Sequence, residues 1–228
     1  MTAQISVLVP TLNAEKTLPE CLETLMEGLT AGLICELIVS DGGSTDATCR
    51  IADEAGAVLV GGAASRGGQL RRGAALARGR WLLVLHADTG LEAGWSRIVA
   101  DYIAAESEPA PAYFRLRFRA RGLMPAWVAG WANLRSALFG LPYGDQGLLV
   151  SLDDYHKAGG YPDQPLMEDV ALVRALKRPL TGLPVCAETS ADRYVRSGWL
   201  RRGARNIWTL GRYLAGADPE VLARAYRR

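Results

Sequence analysis

The sequence predicts an α/β fold built on a mostly parallel sheet, and three observations carry that expectation. Short apolar runs alternate with stretches of helical periodicity through residues 1–90. Those runs are apolar nearly throughout, as strands covered on both faces are. Three of them end in polar turns, the place where open α/β sheets bind their ligands.

Taken in order, residues 5–9 form a β-rich run ended by Pro10, and residues 18–29 carry apolar side chains at helical spacing. Leu37, Ile38 and Val39 make a second run, followed by a helix-like stretch over 45–55. Val58, Leu59 and Val60 make a third, and a helix over 69–77 leads to a fourth strand at 81–85. Beyond it, Phe114, Leu116 and Phe118 alternate with Arg115, Arg117 and Arg119, the pattern of a half-exposed strand. An unusually apolar helix is expected over 123–138. Core packing is the default for its Trp127 and Trp131; a dimer face and an apolar groove for a lipid-like acceptor are the alternatives. A strand over 147–151 and helices over 152–158, 168–178 and 200–214 complete the chain. No repeat, low-complexity tract or linker divides it, so a single domain over 1–228 is expected.

The 228 residues suffice for one substantial domain. A chain of that size buries roughly 70–75% of its unfolded surface, so neither a disulfide nor a metal is needed for folding. Hydrophobic content of 49% with 22% charged residues excludes a disordered chain. A net charge of +2 gives no reason to expect nucleic acid as a partner. Cys21, Cys35, Cys49 and Cys186 lack C-x-x-C spacing, which argues for reduced thiols over a zinc or dithiol site. The start, Met-Thr-Ala-Gln, has no basic n-region, and no window reaches the ~20 apolar residues of a membrane span. A cytoplasmic protein is expected, with peripheral contact at the inner membrane face left open.

Three strand ends carry candidate chemistry: Pro10-Thr11-Leu12-Asn13, Asp41-Gly42-Gly43-Ser44-Thr45-Asp46 and His86-Ala87-Asp88. Parallel strands bring all three to one rim. Each also has a plainer reading. The Asp41 segment reads equally as a tight turn in which Ser44 or Thr45 caps the next helix. Glu168 and Asp169 read as acids at a helix N-terminus, and Gly144-Asp145-Gln146 as a turn. Nine arginines from Arg193 to Arg228 face only Asp218 and Glu220. Most read as the solvated face of a helix whose apolar side is Ile207, Leu210 and Leu214. Arg196, with Arg201 or Arg202, could close over phosphate as a lid.

The segments Val7 to Glu15 and Ile38 to Asp46 resemble the opening of family 2 glycosyltransferases of the GT-A fold. Arg66-Gly67-Gly68-Gln69, then Leu82 to Thr89, resembles the family's approach to its D-x-D metal motif. Gly159-Gly160-Tyr161-Pro162 followed by Met167-Glu168-Asp169-Val170 resembles its acceptor side. The ordered set spans roughly residues 4–178, and the His-Ala-Asp form resembles a small, soluble bacterial subgroup.

The resemblance implies a nucleotide-sugar-binding half over about 1–90, an acceptor half over about 91–190 and a basic helical segment over about 191–228. It implies that Asp41 accepts a hydrogen bond from the nucleotide base while Pro10, Thr11 and Glu15 line the nucleoside pocket. Arg66 and Gln69 would reach the base or diphosphate. Asp88 would hold Mg²⁺ or Mn²⁺, with His86 and Ala87 before it in the nucleotide-sugar site, His86 either contacting sugar or phosphate or ligating the metal. Asp169 would be the general base, with Glu168 beside it on the acceptor side; apart from the resemblance, Asp145 and Gln146 are placed to hydrogen-bond acceptor hydroxyls if they are not simply a turn. The implied reaction is inverting transfer from a UDP- or GDP-sugar to an acceptor hydroxyl. Two departures stand out: His86 replaces the first acid of D-x-D, and where relatives supply a further histidine ligand near the C-terminus the only other histidine is His156, so either metal affinity is modest or Asp192 or an arginine takes that corner. No G-x-G-x-x-G follows the first strand, which excludes an NAD-binding dehydrogenase. A catalytically silent nucleotide-sugar-binding protein and, more remotely, a sugar nucleotidyltransferase remain as alternatives, and a homodimer stays open.

Overall fold

The structure, a computed structural model, describes residues 4–105 and 108–227; Met1 to Ala3 and Arg228 lie outside the described residues. The chain begins β1 (Ile5–Thr11), α1 (Leu18–Thr30), β2 (Ile34–Asp41), α2 (Thr48–Glu54), β3 (Val58–Gly61), α3 (Arg66–Ala74) and β4 (Trp81–Val84). These strands pair in parallel in the order β3-β2-β1-β4. Ile5, Val7 and Val9 of β1 face Leu18, Cys21 and Leu25 of α1, while Leu8 faces Leu70 and Ala74 of α3. Trp81 and Leu83 of β4 split from Leu82 and Val84 in the same way. Strands apolar on both faces have to be covered on both, which is why their sequence signal is continuous. β3, at the sheet edge, is the exception, with Val58 and Leu59 exposed.

The chain continues as β5 (Thr89–Leu91), α4 (Trp95–Ala105), β6 (Ala112–Phe118), α5 (Leu123–Phe139), a 3₁₀ turn (Gly144–Gln146), β7 (Leu148–Ser151) and α6 (Leu152–Lys157). It ends as α7 (Glu168–Ala175), β8 (Thr181–Thr189), α8 (Asp192–Ser197), α9 (Trp199–Leu214) and α10 (Pro219–Arg227). The sheet extends from β4 through β7, β6 and β8 to β5, with β7 antiparallel to both neighbours and β8 parallel to β6. It is therefore an eight-stranded mixed sheet, parallel in its first half.

Five elements were not expected from sequence: β5, α4, β8, α8 and α10. For β8 the reason is local. Leu183, Val185, Ala187 and Thr189 are buried in strict alternation, but Gly182 and Pro184 mask the period. The pairing of β6 with β8 shifts register between Phe114 and Arg115, passing over Pro184 and Val185, and an irregularity of this kind tolerates proline. Helix starts also moved. Neither Ser44 nor Thr45 caps α2; the Asp46 carboxylate accepts the Thr48 N–H (3.0 Å) and the Thr48 hydroxyl (2.5 Å). Ser65 caps α3, accepting the Gly68 N–H at 3.3 Å, so that helix begins at Arg66 rather than Gln69.

Two helices turn the opposite way from expectation. The inner side of α5 is Val128, Ala129 and Ala132, packed on Leu116 and Phe118 of β6. Those small residues bring the helix close and leave Trp127 (62% exposed) and Trp131 (47%) outside the core. Ile207 and Leu214 of α9 are exposed and only Leu210 is buried, while Arg202 and Arg205 turn inward to Tyr226. The basic side of α9, expected in solvent, is the side that packs.

The two halves meet where α3 begins. The Gly67 N–H donates to the Gln164 carbonyl at 3.1 Å, and a Cβ on Gly67 would collide with the Pro162 carbonyl oxygen and lie 2.8 Å from Gln164 N. Backbone cannot yield as a side-chain tip does. Gly67→Ala is therefore expected to cost about 1–3 kcal/mol, a fall in Tm of roughly 2–12 °C. Thermal melting followed by circular dichroism checks this; an unchanged Tm would show that the loop moves freely.

Candidate functional site

The loops after β1 and β2 are stitched into one rim. Asn13 adopts a left-handed backbone (φ 51), its N–H donates to the Ser44 hydroxyl (2.8 Å), and its Oδ1 accepts the Thr45 N–H (2.9 Å). Glu15 accepts the Ala47 N–H at 3.1 Å. The Asp41 carboxylate takes four bonds, from the Thr11 and Ser44 hydroxyls and the Gly43 and Ser44 amides. Burial opposes its charge, but those donors outweigh burial and hold Asp41 below the usual carboxylate range. Gln69 lies beneath the rim, its amide donating to the Thr11 (2.7 Å) and Ser40 (3.1 Å) carbonyls.

Beside the rim, at the carboxyl end of β4, is a cavity of about 110 Å³. It draws Arg66 from α3, His86 and Asp88 from the loop after β4, Asp145 from the 3₁₀ turn, and Glu168 and Asp169 from α7. Six residues expected at the site from sequence thus share one cavity. Pro10, Thr11, Glu15 and Asp41 stand outside its lining, at the ends of β1 and β2 or in the loop after β1. Ala87 is buried in the core.

Arg66 links the cavity walls. Its Nε lies 3.0 Å from Glu168 Oε1, and its guanidinium donates to His86 Nε2 at 2.5 Å. An arginine always donates, so His86 accepts as a neutral ring. Burial, then the charges of Arg66 and Arg193, push the His86 pKa well below its ordinary value. Gly144 packs directly on that ring, where a Cβ would lie 2.8 Å from His86 Cε1. The Gly144 N–H donates to Asp169 Oδ2 (2.7 Å), and Asp169 Oδ1 accepts the Val170 N–H (2.8 Å). Met167, just before these acids, holds a left-handed backbone (φ 63), which costs roughly 1–2 kcal/mol in a non-glycine residue.

Two carboxyls are poised differently. Asp145 Oδ1 and Glu168 Oε2 are buried without a hydrogen-bond partner among the described residues. Burial, with the charges of Asp169 and Asp88, pushes Asp145 up to about 6, against the pull of Arg135 and Arg66. Burial also raises Glu168, and the Arg66 ion pair offsets only part of that cost.

The structure corrects several expectations. Gln146 is fully buried, its Oε1 accepting from Ser136 (2.6 Å) and Arg135 (3.3 Å) and its Nε2 donating to the Phe114 carbonyl (3.2 Å). It ties α5 to β6 and has no group free for an acceptor. The Gln69 amide nitrogen is likewise taken, by two backbone carbonyls beneath the rim. Asp192 is exposed at the start of α8 and does not line the cavity; Arg193 does. Of the arginines considered for a lid, Arg202 lines the cavity and Arg196 and Arg201 do not. Sequence reasoning missed Tyr143, Tyr194, Asn206 and Tyr226 on the wall, residues with no motif of their own that tertiary packing alone brings there.

The family model described as Glycosyl transferase family 2 matches residues 6–132, more than half of the chain. No curated protein matches the sequence. S. aureus TarS 1–349 in complex with UDP-GlcNAc superposes with a TM-score of 0.62 at 16% identity, covering 82% of this chain and 58% of that one. Glucosyl-3-phosphoglycerate synthase from Mycobacterium tuberculosis, in complex with Mn²⁺, UDP and glucosyl-3-phosphoglycerate, gives 0.53 at 22% identity, covering 79% and 70%. A mycobacterial protein gives 0.55 at 24% identity, covering 82% and 65%. This chain spans little more than half of the TarS chain's length. Likeness at these identities establishes the fold, the GT-A arrangement expected from sequence.

The raised Asp145 pKa has a definite sign. Between the unfolded value of ~4 and the folded value of about 6, the folded state keeps a proton that the unfolded chain releases, so stability falls as pH rises through that window. Asp145→Asn is expected to be more stable than the parent by about 1–3 kcal/mol near pH 8 and nearly equal to it near pH 4. Urea unfolding at both values tests this; a gap that does not widen with pH would disprove the raised pKa.

Proposed function

The chain belongs to glycosyl transferase family 2, and on that premise we propose that it transfers a sugar from a nucleoside diphosphate sugar to an acceptor hydroxyl with inversion. The observation that carries this reading is the cavity after β4, where four carboxyl groups and three arginines converge beside the rim of a GT-A sheet. We read residues up to about 90 as the donor-binding half, about 91–190 as the acceptor half and the rest as the basic helical segment, within one domain.

The donor's nucleoside would lie along Pro10, Thr11, Glu15 and Asp41. With both oxygens of Asp41 already taken twice, contact with the base requires one of their donors to release its bond. Arg66, Arg193 and Arg202 would face the diphosphate, since guanidinium groups suit phosphate oxygens. UDP or GDP fits this chemistry equally. The TarS and synthase structures hold UDP-GlcNAc or UDP with Mn²⁺, which supports UDP and a divalent ion.

The Asp88 carboxylate on the cavity wall is a hard oxygen donor, which suits such a cation. Among the described residues no three His, Cys, Asp or Glu groups could hold an ion unaided. Asp88 would therefore hold Mg²⁺ or Mn²⁺ together with the diphosphate, the usual arrangement for such ions. When bound, the ion offsets the charge of the departing diphosphate.

Asp169 is fixed by the Gly144 and Val170 amides and would take the acceptor's proton. The acceptor oxygen bonds to the anomeric carbon as the bond from that carbon to the diphosphate oxygen breaks. Asp145 and Glu168 would border the acceptor. A second reading makes Asp145 the base, favoured by its unpaired Oδ1 and its pKa of about 6.

Calorimetric titration of UDP and GDP with and without Mn²⁺ tests donor binding. Asp88→Ala is expected to weaken the metal-dependent part of that binding by about tenfold or more. If neither nucleotide binds with Mn²⁺ present, the transferase reading loses its support. Asp169→Asn is expected to keep nucleotide binding and lower turnover by about 10²–10⁴. Normal turnover in Asp169→Asn with loss in Asp145→Asn would move the base to Asp145.

A further inference from the structure

The outward faces of α5 and α9 are apolar where a solvent-facing surface is polar. On α5, Leu123 (89% exposed), Trp127, Trp131, Leu134 and Leu138 recur at helical spacing and form one stripe. No exposed residue of α5 is charged. Its polar side chains turn inward: Arg135 to the Leu141 carbonyl, Ser136 to Gln146, and Asn133 to the backbone of Leu116. α9 packs against α5 and is inverted in the same way. Leu200, Ile207, Trp208 and Leu214 face outward, while Arg202 and Asn206 line the cavity. Arg201 is the one charged residue exposed on this helix.

Scattered apolar side chains on a surface need no explanation, but a continuous two-helix face does. The charges around it select the occupant. Residues 109–144 and 193–217 contain no aspartate or glutamate, so the exposed charges beside these helices within those segments, Arg121, Arg193, Arg196 and Arg201, are cationic, and the exposed acids Asp192, Asp218 and Glu220 lie just outside them. A second copy of the chain would bring the same cations against each other. An anionic lipid surface would meet them with opposite charge, and an apolar face with tryptophans and flanking arginines is what lies well at a bilayer interface.

We propose that α5 and α9 together form a docking face for an anionic lipid bilayer, with Trp127, Trp131 and Trp208 seated at headgroup level. Because the opposite side of α9 lines the cavity, docking would hold the cavity close to the lipid surface. The inference is independent of sugar transfer and would stand for any reaction in that cavity.

Flotation of the full chain with vesicles tests it, using phosphatidylcholine alone and phosphatidylcholine mixed with phosphatidylglycerol. Binding is expected to the mixed vesicles, weakening as salt screens the arginines. Brominated acyl chains are expected to quench the tryptophan emission of the bound protein. The combined Trp127→Ser, Trp131→Ser and Trp208→Ser variant is expected to lose binding by about tenfold or more. Should that variant fold poorly by circular dichroism, quenching of the unaltered protein and weakened flotation of Arg201→Glu supply the test. Absence of flotation with mixed vesicles would overturn the proposal. So would a stable dimer in solution that the same three substitutions dissociate.

Discussion

Arg66 joins two parts of the chain that share no sequence neighbourhood. It stands at the first position of α3, yet its guanidinium meets Glu168 at the first position of α7 and the ring of His86 after β4. Glu168 is nearly inaccessible, so its charge depends on that partner; an unpaired buried carboxylate would be strongly unfavourable. The same constraint explains Gly67, the next residue, whose backbone lies directly on the segment leading into α7. Ion pair and close approach together fix where the second half of the chain sits on the first.

The cavity's electrostatics follow from that placement. Burial, with donation from Arg66, keeps His86 neutral, so the position that departs from D-x-D contributes a neutral ring to a crowded set of charges. The carboxyls sort by their partners. Asp169 receives two amides, while Asp145 keeps a buried oxygen with no donor among the described residues, and burial pushes it up. Gln146, adjacent to Asp145, spends its whole amide on Phe114, Ser136 and Arg135, so the 3₁₀ turn carrying Asp145 is anchored from behind. Neighbouring residues of one short motif therefore do different work, one facing the cavity and one building its wall.

The inversion of α5 and α9 has the same root. Polar groups are needed where these helices touch the site: Arg135, Ser136 and Asn133 tie α5 to the turn and to β6, and Arg202 and Asn206 serve the cavity. An amphipathic helix whose polar side is claimed by a buried site presents its apolar side outward. Helical periodicity reports that a helix has two faces, and only the surroundings determine which face is buried.

By itself the sequence determined the α/β class and the first four strands with their helices; its resemblance to family 2 glycosyltransferases made Arg66, His86, Asp88, Glu168 and Asp169 candidates, and the turn at Gly144-Asp145-Gln146 added Asp145. The fold class is local information, since continuous apolar runs report coverage on both faces, and strand ends of a parallel sheet share one edge. Tertiary structure alone decided which of these residues share a cavity and that Gln146 and Gln69 are wall and brace. It also brought Tyr194, Asn206 and Tyr226 alongside them and turned Trp127, Trp131 and Trp208 outward. The physical reason is that a side chain's partner and burial depend on residues distant in the chain. For β8 a proline-bearing register shift hides the period, and for α9 the face that binds the site is the charged one.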